Sequence, residues 1–75
     1  PIDAKTQRLL KLAIAVGAGR EGAVRSHARR GFKAGVSREE LEHTALLGIT
    51  TVGWPTAFAA RCWIEQALDQ FEAKR

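Results

Sequence analysis

The 75-residue chain contains one cysteine, Cys62, so an internal disulfide is excluded. A lone thiol with no Cys-x-x-Cys fits a reducing compartment. No apolar run is long enough to span a membrane, and no signal-peptide pattern opens the chain. Together these absences predict a cytoplasmic protein that does not partner a membrane. The first residue is Pro1, and the expectation is a chain trimmed at its N-terminus. Aromatic residues make up only 7% of the sequence. There are two histidines, His27 and His43, and no further ligand type stands at metal-site spacing from them. No metal is therefore expected.

What is present is apolar and basic. Hydrophobic residues make up 45% of the chain, a large share for a single small domain covering residues 1–75. A domain this size draws only about 3–5 kcal/mol from its own core. The surplus apolar surface predicts burial against another copy. The net charge is +4, with the basic excess concentrated in Arg20, Arg25, Arg29, Arg30 and Lys33, while Ser37 to Glu42 is acidic. Such a balance suits an anionic partner.

Glycines and one Gly-Trp-Pro break cut the chain into four helical segments. The first runs from Asp3 to about Val16, with Asp3 as its cap and Leu9, Leu10, Ala13, Ile14 and Val16 at helical spacing. The second runs from about Arg20 to Ala34, and small residues at Ala23, Ala28 and Gly31 let another backbone approach. The third opens on "SREE", a capping box in which Ser37 and Glu40 satisfy each other's free amides. Its stripe is Leu41, Ala45, Ile49 and Val52. The β-branched "GITTV" at 48–52 has strand propensity. It is read as helix because no second strand exists to pair with it. The fourth segment starts after Trp54, with Pro55 at its first position. Ala57, Ala60, Ile64, Ala67, Leu68 and Phe71 form its buried face, and Lys74 and Arg75 sit at the end where cations suit the helix dipole. The predicted fold is all-α, a compact antiparallel bundle of about four helices.

Few residues carry chemistry. His27 lies one turn from Ala23 and one turn from Gly31, so its face has room for a ligand or for a packed helix. Spacing does not separate a hydrogen-bonded core histidine from a site residue. His43 follows Glu39 by one turn, which predicts a local ion pair or cap. Cys62 lies two turns inside its helix, with no base beside it, and reads as a small core hydrophobe. Arg25, Arg29, Arg30 and Lys33 read as a solvated face or as an anion site, and Arg20 stands near free amides at a helix start. "GFKAGVSREEL" has the outline of a helix-turn-helix. However, its second helix opens with Glu39, Glu40 and Glu42, the wrong sign for phosphates, so no nucleic-acid partner is expected.

In order, "LLKLAIAV", "RSHARR", "AGVSREELEH" and the turn "GWP" resemble the carboxymuconolactone decarboxylase family, which includes the alkylhydroperoxidase D-like proteins. The resemblance covers nearly the whole chain. It implies an all-helical fold that assembles as an obligate homo-oligomer, a trimer or hexamer. The family's peroxidase branch carries Cys-x-x-Cys-x-x-x-His. Here its cysteine positions fall on Arg20 and Ala23, its helper glutamate falls near Arg8, and only the histidine remains, as His27. Thiol peroxidase chemistry needs an activated thiolate and a resolving thiol, and is therefore not expected.

"GREGAVRSH" and "GVSREELE…GWP" are closer to the decarboxylase branch, whose members release CO₂ from a lactone with no cofactor. That likeness implies a carboxy-lyase acting on a small anionic molecule. His27 would be the catalytic proton donor, Glu42 would orient an imidazole, and Arg20 and Arg25 would hold carboxylates. Thr51 stands where that branch often shows tyrosine, which points to a different substrate pocket. The competing expectation is a non-catalytic homo-oligomeric binding or assembly module of the same fold.

Overall fold

The computed structural model describes residues 1–74. Its elements are α1 (Ala4–Ala18), α2 (Glu21–Lys33), α3 (Arg38–Leu46), a single turn α4 (Ile49–Val52) and α5 (Trp54–Ala73), with no strand among the described residues. The predicted all-α architecture is observed.

Local chemistry sets most of the helix ends. Asp3 caps α1 by accepting from the Thr6 amide at 3.3 Å, and Thr6 Oγ1 donates to its other carboxylate oxygen. Gly19 ends α1 in a left-handed conformation (φ 68°). Its N–H reaches the Val16 carbonyl at 3.0 Å, and that of Arg20 reaches the Ala15 carbonyl at 3.2 Å. This is a Schellman closure, which a glycine adopts without a Cβ penalty. The capping box of α3 is complete: Glu40 N donates to Ser37 Oγ at 3.1 Å and Ser37 N donates to Glu40 Oε1 at 3.0 Å. Ser37→Ala is expected to lower stability by about 1 kcal/mol, read as a shift of the urea midpoint at unchanged slope.

Four expectations are corrected. The third segment is not one helix: α3 ends at Leu46, and α4 restarts after Gly48. "ITTV" is helical as expected, but only as one turn. Pro55 is the second residue of α5, which starts at Trp54. The face assigned to α1 also differs. Leu12, Ala15 and Val16 are buried and Leu9 packs against them, whereas Ala13 is exposed and Leu10 and Ile14 are 44% and 71% exposed. Cys62 is half-buried rather than a core residue.

The core joins α1, α2, α3 and α5. Leu12, Val24, Leu41, Ile64 and Leu68 are its largest fully buried side chains, and Ala28, Ala45, Ala57, Ala60 and Ala67 let the helices approach closely. Gly31 serves the same end. A Cβ there would meet Leu41 Cδ2 at 3.0 Å. No polar or charged side chain is buried in the described residues. The body is flat, 34 × 32 × 19 Å, so its core is thin and several large apolar residues stay outside it.

Candidate functional site

The face where α3 meets α5 is an ion-pair network. Arg38 donates to Asp69 at 2.7 Å and to Glu72 at 3.0 Å. Glu42 lies 3.3 Å from Arg61 and 3.8 Å from Arg38. These pairs sit in or near solvent and each is worth at most about 1 kcal/mol.

The opposite side, where α1 meets α2, is unbalanced. Residues 1–34 carry eight Lys and Arg against two carboxylates. Asp3 is engaged by Thr6, and Glu21 pairs with Arg25 at 3.0 Å. Arg8, Lys11 and Arg30 form no ion pair among the described residues. His27, on α2, is half-buried. Burial pushes its imidazole below the usual histidine value, and the charges of Arg30, Lys11 and Arg8 push in the same direction. Both effects disfavour the imidazolium.

The structure does not gather all the residues suggested by the sequence around His27. Arg20 caps α2 through its carbonyl, which accepts from Val24 N at 2.9 Å, and its side chain is exposed. Arg25 points to the other flank of α2, where it donates to Gln66 of α5 at 2.7 Å. Glu42 is occupied by the α3–α5 network, and among the described residues no carboxylate forms a hydrogen bond or ion pair with the His27 ring. His43 is exposed and makes no ion pair with Glu39 among the described residues, contrary to expectation. Of the residues whose charges act on His27, Arg30 belongs to the basic cluster read from the sequence, whereas Arg8 and Lys11 were missed. The available signal was the matched spacing of Arg8 with Lys11 and of His27 with Arg30, each three residues apart on its helix.

Two hollows open on the surface. One of 360 Å³ is lined by Ala4, Lys5, Arg8, Ala34, Gly35 and Val36. Lys5 there is held by Glu40 at 2.6 Å. The other, of 260 Å³, lies between α1 and the α3–α4 segment, with Ala13, Gly17, Leu47, Thr51 and Val52 in its wall. Exposed Leu10 and Ile14 stand beside it on α1, and Leu47 is 66% exposed. Trp54 and Phe58 add a stacked, exposed aromatic pair at the start of α5, with ring centroids 5.1 Å apart. No group of three or more His, Cys, Asp or Glu side chains able to hold a metal gathers among the described residues. No described helix is long and apolar enough to cross a membrane.

Comparison with known proteins gives one finding. The model of the carboxymuconolactone decarboxylase family matches residues 1–66. No curated protein and no solved structure matches the chain.

Proposed function

The chain belongs to the carboxymuconolactone decarboxylase family, and on that premise we propose that it is a cofactor-independent acid/base lyase acting on a small carboxylate or lactone compound. The observation that carries this reading is His27, half-buried on α2, where burial and the charges of Arg30, Lys11 and Arg8 all act on its ring. In the reaction, the bond from carbon to a carboxylate breaks and CO₂ departs. The electron pair stays on carbon, which takes a proton from the His27 imidazolium. Water then restores that proton. Cations beside the ring hold the carboxylates in place and stabilise the developing carbanion or enolate. Arg20, Arg25 and Glu42 fit this scheme as supports supplied across a subunit boundary rather than within one chain.

Assembly is part of the proposal. Ile14, Leu10 and Leu47 leave apolar surface in water, and a trimer or hexamer would cover it. The catalytic reading is tested by incubating the purified protein with small carboxylated lactones and measuring CO₂ release. Release that saturates with substrate and needs no added metal or cofactor supports it. No release from any of them overturns it.

A second reading is favoured by one specific observation: neither of the two hollows described above has His27 in its wall. That suits a non-catalytic homo-oligomeric binding or assembly module. Small carboxylates would then raise the melting temperature without being turned over.

A further inference from the structure

The 360 Å³ hollow has a wall of two kinds. From α1 come Lys5 and Arg8, three residues apart and so on one side of the helix. From the α2–α3 turn come Ala34, Gly35 and Val36, and with Ala4 they make the rest of the lining apolar. That turn is held by its own backbone. Gly35 N donates to the Phe32 carbonyl at 3.1 Å, and Val36 N donates to the Gly31 carbonyl at 2.9 Å. The hollow is thus preformed, and its volume lies near the lower end of the roughly 300–1,000 Å³ usual for small-molecule sites.

The two cations of the wall differ. Lys5 pairs with Glu40 Oε2 at 2.6 Å, and Glu40 Oε1 accepts from the Ser37 amide at 3.0 Å. Arg8 is half-buried, yet its guanidinium makes no ion pair or side-chain hydrogen bond among the described residues. Asp3 and Lys33 flank the wall in sequence without lining it, and Asp3 is engaged by Thr6. With Lys5 and Glu40 cancelling, the wall carries one uncompensated positive charge beside apolar surface.

We infer that this hollow binds a small monocarboxylate with a hydrocarbon body, its carboxylate on Arg8 and its chain against Ala4, Ala34 and Val36. A guanidinium presents paired N–H donors that match the two oxygens of a carboxylate. One free cation suits one negative charge, and a bare inorganic ion would leave the apolar wall unused. Lys5 is the adjustable part, because an incoming carboxylate competes with Glu40 for its ammonium. The site stands apart from the lyase reading, since His27 is not in its wall.

The experiment is an NMR titration of the isotope-labelled protein with hexanoate at neutral pH, read at the amides of Ala4, Lys5, Ala34, Gly35 and Val36. Saturable shifts at these amides are expected. Hexanamide, the same chain without the charge, should produce none. Acetate, the same charge without the chain, should bind about tenfold more weakly, as burial of roughly two methylenes implies. Arg8→Gln should weaken hexanoate on the order of tenfold, the loss of a charge-assisted hydrogen bond. Glu40→Gln keeps the capping box, because glutamine there also reaches the Ser37 amide, but it releases Lys5. Affinity should then rise by roughly fivefold. Glu21→Gln removes the same charge at the other end of α2 and should change nothing. If Arg8→Gln does not fold, the gain in Glu40→Gln over Glu21→Gln decides. Equal affinities for hexanoate and acetate overturn the inference, as do unchanged binding in Arg8→Gln or equal gains in the two glutamate variants. Binding lost in His27→Gln but kept in Arg8→Gln would seat the acid at the histidine and overturn it as well.

Discussion

His27→Gln is expected to lose about 10²–10⁴ of turnover, the range a positioned general acid contributes, while the fold survives. The ring is half-buried and accepts or donates no hydrogen bond among the described residues, so a neutral amide of similar length leaves no partner unsatisfied. The sign of the pH dependence follows from the depressed titration. An imidazole that takes up a proton less readily in the folded chain than in the unfolded one favours unfolding on acidification. Its contribution to stability is complete above the ordinary histidine value and is lost as pH falls through the lower folded value. In His27→Gln that acid-side slope disappears, which thermal melts between pH 7 and pH 5 would detect. Unfolding of His27→Gln, together with no anion raising the melting temperature of the parent protein, would make the histidine a structural residue instead.

Leu41→Ala is expected to cost about 2–5 kcal/mol, the range for deleting most of a buried leucine. That is comparable to the roughly 3–5 kcal/mol a core of this size provides, so an isolated chain should lose most of its stability at 25 °C. Leu41 is fully buried and joins α3 to α2, with its Cδ2 over the bare Cα of Gly31. The same contact predicts coupling. Gly31→Ala alone forces a methyl to 3.0 Å from Leu41 Cδ2, which costs up to about 3 kcal/mol of overpacking unless the leucine tip swings away. In the Leu41→Ala background the added methyl meets a cavity, so the two losses are expected to sum to more than the double variant shows. Urea melts of the four proteins at one protein concentration measure this. Strictly additive losses would show that Gly31 and Leu41 do not share the space. If chains associate, the midpoint of each variant rises with concentration, since folded copies alone assemble.

Where helices begin and end was legible locally, because each boundary depends on the hydrogen bonding of a few adjacent residues. Ser37 with Glu40 and Asp3 with the amide three residues on are examples, whereas the first helix runs two residues past the expected Val16 to its left-handed Gly19. The face that α5 buries was legible as well, because Ala57, Ala60, Ile64, Ala67 and Leu68 form one stripe flanked by charge. The break at Gly48 was not legible, since α3 and α4 keep the same apolar stripe across it.

His27 was recognisable as a candidate from its helix, its small neighbours and the family pattern. Its electrostatic setting was not, and α1 shows why. That helix carries apolar residues around most of its circumference, so periodicity alone leaves its rotation open. Contact with α2, α3 and α5 turns Leu12 and Val16 inward and Ile14 outward, and the same rotation brings Arg8 and Lys11 to His27. Backbone capping is a short-range property written in consecutive residues. The field at a histidine is the sum over charges that only helix packing brings near.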